Sequence, residues 1–150
     1  MLAVVLFLLC HGGAQAQNKV DLPHFRIGRS DKTYFDDNDL KKDKPIVLIY
    51  FLPDCEDCRA FTRSLLANIK HYQNLQIVLV TNTPLSILIQ FEKDFSLRKF
   101  NNIVAGTESY TMVLQRALNV QSFPSVNCYN KHKKLVKKIN NYKELENLRL

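Results

Sequence analysis

Residues 46–58, with the sequence IVLIYFLPDCEDC, decide the fold predicted for this chain. Residues 46–51 are apolar at consecutive positions, which is typical of a strand buried on both faces of a sheet. Pro53 and Asp54 then favour a turn, and an amphipathic helical pattern follows the two cysteines. The stretch therefore predicts a strand, a short turn and a helix that begins at Cys55 and Cys58.

The two cysteines have the spacing of a redox-active dithiol. Thiols three residues apart at a helix start can close a small disulfide ring. The first thiol can ionise there because unpaired N–H groups and the helix dipole favour an anion. Cys55 is therefore the candidate nucleophile and Cys58 the candidate resolving thiol. We expect no cofactor beyond a redox-active disulfide between them.

Two other interpretations of this spacing are a zinc site and a static structural disulfide. Zinc takes four protein ligands in a structural site or three in a catalytic one. The chain contains no second Cys-x-x-Cys and no His-x₃₋₅-His pair, and its histidines are scattered. We therefore predict no metal, whereas a static disulfide stays an alternative to the redox centre.

The remaining pattern predicts one α/β domain, since 150 residues with 46% hydrophobic content form a single core. Strands are predicted at residues 22–28, 30–35, 46–51, 75–81, 101–106, 123–129 and 135–139. Helices are predicted at residues 59–72, 85–100, 111–119 and 142–150, with Glu92, Lys93 and Asp94 facing solvent. The long crossover between the third and fourth strands indicates a right-handed βαβ unit with parallel strands.

The N-terminal stretch has the pattern of a secretory signal. An apolar run at residues 2–9 is too short to span a bilayer, and Ala14-Gln15-Ala16 is a small-residue cleavage pattern. We expect residues 1–16 to be a signal peptide and residues 17–150 to be the mature domain, exported to the periplasm or cell envelope. A transmembrane segment is not expected in the mature chain, and we predict a monomer.

The net charge of +7 is concentrated towards the C-terminus. Between residues 131 and 150 there are seven Lys or Arg against two Glu. Charge runs of this kind by themselves indicate a solvated surface and electrostatic steering. We therefore expect no nucleic-acid partner.

The order of predicted elements resembles the thioredoxin-like superfamily, and a Cys-x-x-Cys beside a βαβ pattern is its signature. More narrowly, the chain resembles exported thiol-disulfide oxidoreductases of the TlpA/ResA type. The resemblance covers roughly residues 22–150, through the motifs at residues 53–58 and 122–125. It implies a central mixed sheet flanked by helices, an N-terminal hairpin and a central insertion.

The same resemblance implies a docking edge and a mechanism. In this family a cis-proline loop packs against the cysteines, which makes Pro124 and the preceding Phe123 candidate substrate-binding residues. A protein thiol or disulfide client and an upstream redox donor would be the partners. Two family features are absent, because Asp54 stands where the family often has Trp and Ile49 stands where thioredoxin has a buried acid.

Three carboxylates, on Asp54, Glu56 and Asp57, lie within one predicted turn of Cys55. Their negative charges disfavour its thiolate and oppose the helix dipole, and Arg59 offsets part of this effect. The three acids are therefore candidate tuning residues, and the sequence favours a reductant or a modest oxidant.

Three functions compete for this sequence. The first is an extracytoplasmic thiol-disulfide oxidoreductase that acts through Cys55 and Cys58, on the reducing side. The second is a peroxidase of the peroxiredoxin kind. It fits poorly, because Pro53 lies two positions before Cys55 and no Thr or Ser lies three positions before it. The third is a thioredoxin-like binding or assembly module of the cell envelope with a static disulfide.

Overall fold

The computed structural model describes residues 21–139 and residue 144. The predicted signal peptide and cleavage site lie outside these residues. The predicted helix over 142–150 also lies outside them, apart from residue 144.

Seven strands form one mixed sheet in the order β2-β1-β5-β4-β3-β6-β7. Their bounds are β1 Arg26–Gly28, β2 Tyr34–Asp36, β3 Ile46–Tyr50, β4 Gln76–Thr81, β5 Ile103–Thr107, β6 Ser125–Tyr129 and β7 Leu135–Ile139. Strands β3, β4 and β5 are parallel neighbours, and β6 runs antiparallel to β3. The N-terminal hairpin of β1 and β2 extends the sheet beyond β5.

Within residues 21–139, three α-helices accompany the sheet: α1 Glu56–Ala67, α2 Leu85–Asp94 and α3 Val113–Ala117. Each of these three is shorter than predicted, and a short 3₁₀ turn adjoins each one, at Ile69–Tyr72, Leu97–Lys99 and Ser109–Thr111. Left-handed residues mark two of the breaks. Ser96 has φ 50° and Met112 has φ 49°. A non-glycine residue in this region interrupts an α-helix.

Strand β3 is buried at every position because both faces of the sheet are covered. Val47, Ile49 and the following Phe51 contribute to a core with α1 and α2. Leu48 and Tyr50 point to the other face, into a second core with α3 and the N-terminal segment. This double burial explains why the strand is apolar at consecutive positions rather than alternating.

The prediction that Glu92 faces solvent is wrong, since only 8% of this residue is exposed. Its carboxylate lies 3.8 Å from Nε of Arg98, and Arg98 in turn donates to Ser30 Oγ at 2.7 Å. The segment between β1 and β2 thus packs beside the end of α2. Ser30 is distant from α2 in the sequence, so the helical periodicity of residues 85–100 does not predict that Glu92 is buried.

Close packing joins the hairpin to the sheet at Gly106. A Cβ added to Gly106 would lie 2.6 Å from the side chain of Ile27, which is fully buried. A glycine at this position lets β1 lie directly against β5.

Among the described residues, no helix combines the length and apolar character needed to cross a bilayer.

Candidate active site

Cys55 lies at the N-terminus of α1, immediately after the turn that leaves β3. Its N–H donates to the Leu52 carbonyl at 3.2 Å, which closes the turn. Its backbone is extended, with φ −72° and ψ 122°, and its sulfur accepts from the N–H of Cys58 at 3.2 Å. Cys55 therefore acts as the N-cap of α1, where exposed N–H groups and the helix dipole favour a negative sulfur.

Cys58 lies behind Cys55 and is almost completely buried, with 1% of its surface exposed. Burial, together with the neighbouring Cys55 and Asp57, raises the pKa of its thiol to about 12. Cys55 is half-buried, and both residues carry free thiols. The structure thus gives the two sulfurs different environments: one is accessible and the other is shielded and protonated.

The loop before β6 contacts the accessible sulfur. Phe123 and Pro124 are joined by a cis peptide bond, and the Phe123 carbonyl oxygen lies 3.9 Å from Cys55 Sγ. Strand β6 places this loop, because Ser125 pairs with Tyr50 at the end of β3. Four residues singled out from the sequence, the two cysteines with Phe123 and Pro124, therefore meet at one end of the sheet.

The Phe123 side chain packs partly against the interior of the protein and is partly exposed to solvent. It is half-buried, and its ring centroid lies 6.2 Å from that of Tyr50 with the planes tilted by 35°. It also packs against both hydrophobic cores. Its ring thus packs the loop against the hydrophobic cores, whereas its backbone carbonyl faces Cys55.

The predicted tuning residues Asp54, Glu56 and Asp57 are all exposed. None of them forms an ion pair with another described residue. The negative charge of Asp57 is one of the causes that raise the pKa of Cys58. The end of the sheet that carries the two cysteines is thus locally acidic in a chain with a net charge of +7.

Comparison with solved structures identifies the fold. The thioredoxin domain of a thiol-disulfide oxidoreductase from Bacteroides vulgatus superposes with a TM-score of 0.71. It has 16% sequence identity and covers 86% of this chain and 95% of its own. The chain has the thioredoxin fold. The predicted α/β architecture, with a mixed sheet and an N-terminal hairpin, is therefore confirmed.

Two further structures show the same thioredoxin fold. A secreted Mycobacterium tuberculosis disulfide oxidoreductase homologous to E. coli DsbE has 21% identity and a TM-score of 0.68, covering 82% of this chain and 92% of its own. A putative thioredoxin from Neisseria meningitidis has 18% identity and a TM-score of 0.66, covering 86% and 89%. No family model and no curated protein sequence matches this chain.

The thioredoxin fold here contains a buried acid that sequence reasoning missed. Glu108 is 7% exposed and accepts from the Tyr50 hydroxyl at 2.5 Å. It also accepts the N–H groups of Leu114 at 2.7 Å and Gln115 at 3.1 Å, which caps α3. Tyr50 points to the face of the sheet opposite α1, so Glu108 does not take the place of the thioredoxin acid behind Cys58. Negative side chains are favourable near a helix N-terminus, and Glu108 lies three positions before the helix predicted over 111–119, which is the signal that could have indicated it.

The sequence singled out Arg59, which follows Cys58 in α1, but did not predict its partners. Its guanidinium donates to the Pro53 carbonyl at 3.2 Å and to the Asp94 carboxylate at 2.8 Å. Its positive charge is therefore paired with the Asp94 carboxylate of α2, rather than free to act on Cys55.

Within residues 21–139 and 144, no group of three His, Cys, Asp or Glu side chains is arranged to hold a metal ion.

Proposed function

We propose that this protein is a thiol-disulfide oxidoreductase that exchanges disulfides with protein clients through Cys55 and Cys58. The observation that carries the proposal is the contact between Cys55 Sγ and the Phe123 carbonyl, with Cys58 buried behind it. An accessible sulfur at a helix N-terminus is suited to nucleophilic attack. A backbone edge beside it is suited to holding an extended client segment.

The reaction proceeds in two exchanges. The Cys55 thiolate attacks one sulfur of a client disulfide, and the other client sulfur leaves as a thiolate that takes up a proton. Cys58 then loses its proton and attacks Cys55, which closes the Cys55–Cys58 disulfide and releases the second client thiol. Two electrons and two protons have passed to the client. A donor dithiol must return them by the same exchange in reverse.

The acidic surroundings favour the reducing direction. Asp54, Glu56 and Asp57 disfavour a stable thiolate on Cys55, and a less stable thiolate makes the reduced protein a better electron donor. Asp94 pairs with the nearby Arg59 and weakens any compensation by that cation. The protein acts as a reductant or a modest oxidant.

Action outside the cytoplasm fits the signal pattern of residues 1–16 and the secreted M. tuberculosis neighbour. The partners in this proposal are a protein client and an upstream dithiol donor, with the oxidoreductase working as a monomer of the TlpA/ResA type. The Cys55–Cys58 couple serves as the redox centre without a metal or an organic cofactor.

Mixed-disulfide trapping tests the assignment of the two thiols. The Cys58→Ser variant should accumulate a disulfide between Cys55 and its client, whereas Cys55→Ser should accumulate none. Both are made in a Cys10→Ser/Cys128→Ser background, so that the active-site positions carry the remaining thiols of the chain. Trapping through Cys58 alone would reverse the roles.

A reduction potential distinguishes this function from a static disulfide in a binding module. Structural disulfides typically have potentials below about −300 mV, and catalytic ones lie above that value. We expect the Cys55–Cys58 couple to equilibrate with glutathione or thioredoxin in that higher range. A potential well below it would favour the binding module instead.

A further inference from the structure

Arg59 connects three parts of the active-site end of the molecule. It lies in the first turn of α1, next to Cys58, with 33% of its side chain exposed. Its Nη1 donates to the Pro53 carbonyl at 3.2 Å, and its Nη2 donates to Asp94 Oδ2 at 2.8 Å. One side chain thus ties the turn that carries Cys55 to the C-terminal end of α2.

The guanidinium is held in place from several sides. Its central carbon lies 5.0 Å from the ring centroid of Phe95 and 5.7 Å from that of Phe91, within the range of a cation–π contact. The other oxygen of Asp94 accepts from Gln90 Nε2 at 2.8 Å, so the carboxylate is oriented by its own helix. Hydrogen bonds from Arg59 and Gln90 lower the pKa of Asp94, so it is ionised at neutral pH.

We infer that Arg59 is a positioning residue for disulfide exchange, which fixes the Pro53 carbonyl and hence the turn that presents Cys55, and that Asp94 fixes Arg59. This inference rests on the proposed function. The turn has one internal backbone bond, from the Cys55 N–H to the Leu52 carbonyl. The bond from Arg59 ties the same turn to α2.

The alternative to a positioning role is that Arg59 acts as a cation that stabilises the Cys55 thiolate. This alternative predicts a different outcome for a substitution that keeps the charge. Asp94 lies against the guanidinium, so the pair presents little net charge to the sulfur. Lysine would supply the same charge as arginine. However, its single ammonium lacks the planar fork that bonds a carbonyl and a carboxylate at once. Arg59→Lys therefore separates geometry from charge.

The experiment compares Arg59→Lys, Arg59→Met and Asp94→Asn with two matched controls. Arg63→Met removes an exposed cation one turn further along α1, and Lys93→Met removes one beside Asp94 on α2. Activity is measured as kcat/KM for reduction of insulin disulfides. The pH midpoint of iodoacetamide alkylation at Cys55 is measured in a Cys58→Ser background. Hydrogen–deuterium exchange reports the opening of the Cys55 amide.

A positioning role predicts that all three variants lose about tenfold in kcat/KM, because small misplacements of a reacting atom are costly. The Cys55 amide should exchange faster in each of them, and both controls should match wild type. The alkylation midpoint should stay at the wild-type pH in Arg59→Lys and in the double variant Arg59→Met/Asp94→Asn, because these two leave the net charge of the pair unchanged. The double variant Arg59→Met/Asp94→Asn should be no slower than Arg59→Met alone, since the two residues act as one unit.

The inference is overturned if Arg59→Lys keeps full activity while Arg59→Met moves the alkylation midpoint upward, because Arg59 then acts through its charge. Additive losses in the double variant, or unchanged amide exchange, overturn it as well. A wild-type protein that reduces no disulfide would overturn the proposed function instead. The amide exchange would still report whether Arg59 holds the turn.

Discussion

The carbonyl oxygen of Phe123 lies 3.9 Å from the sulfur of Cys55, although 68 positions separate the two residues in the sequence. The pairing of β6 with β3 produces this contact, because Ser125 is the partner of Tyr50 in the register. The start of β6 must therefore lie beside the turn that leaves β3. Under the proposed function, a client segment that reaches Cys55 would meet the backbone of this loop.

Phe123→Ala should lower the free energy of unfolding by about 2 kcal/mol, because the ring is half-buried and packs against both cores. Urea unfolding at neutral pH measures the change. Phe123→Leu retains much of the apolar contact and should stay within about 1 kcal/mol of wild type. Equal stability of the alanine variant and wild type would show that the ring is not a core contact.

Neutralising Asp54, Glu56 and Asp57 together, as Asn, Gln and Asn, should increase the thiolate fraction of Cys55 at neutral pH. All three carboxylates are exposed, so the increase should be severalfold at low salt and smaller in 0.5 M NaCl. Iodoacetamide alkylation in a Cys58→Ser background measures it. The same triple change should raise the reduction potential, since the reduced form is stabilised. An unchanged alkylation rate at low salt would contradict the tuning role.

Release of a mixed disulfide from Cys55 should accelerate steeply with pH. Burial raises the pKa of Cys58 to about 12, so its thiolate is a very small fraction of the molecules at pH 7. Because the thiolate attacks, the rate should rise about tenfold per pH unit between pH 7 and 10. Quenched-flow release of glutathione from Cys55 measures this, with Cys58→Ser as the control that shows no release. A flat profile would mean that a base nearby takes the proton.

Glu108→Ala should cost about 2 kcal/mol of stability, because the Tyr50 hydroxyl and two backbone N–H groups lose their acceptor. Tyr50→Phe removes a single donor and should cost about 1 kcal/mol. Thermal or urea unfolding of both variants tests the order. A larger loss for Tyr50→Phe than for Glu108→Ala would contradict the role of Glu108 as the centre of this network.

Cys128 should make the fold sensitive to alkali. Burial raises the pKa of its thiol from an ordinary value of 9.0 to about 12. Between these two values the unfolded chain loses the proton first, so stability falls as pH rises. From pH 9 to 10.5 this group should account for about 2 kcal/mol of the decline. Urea unfolding of Cys128→Ala should therefore show a shallower fall than wild type, and parallel curves would contradict the shift.

Residues 46–58 were sufficient to predict β3, the turn and the start of α1. The reason is physical: a strand covered on both faces must be apolar at consecutive positions, and a helix with unpaired N–H groups needs a cap. The proline-led strand was also predicted, because proline at a strand start removes no ladder donor. The placement of its proline loop beside the cysteines came from the family resemblance and not from the residues alone, and the pairing of that strand with β3 was not predicted.

Features set by distant contacts escaped prediction. Glu92 is buried because Arg98 and the segment around Ser30 pack beside it. The helical periodicity of residues 85–100 gives no information about a segment so distant in the sequence. Helix α3 is shorter than predicted because Met112 adopts a left-handed conformation next to the cap from Glu108. The paired state of Arg59 depends on Asp94, which belongs to another helix.

With 1% of its surface exposed, Cys58 is out of reach of any partner larger than a few atoms. Under the proposed function, the Cys55–Cys58 site is therefore monovalent towards macromolecules: it can hold one client at a time, always through the Cys55 sulfur. This site cannot bridge two clients, and a thiol-reactive inhibitor of ordinary size has one point of attachment within it.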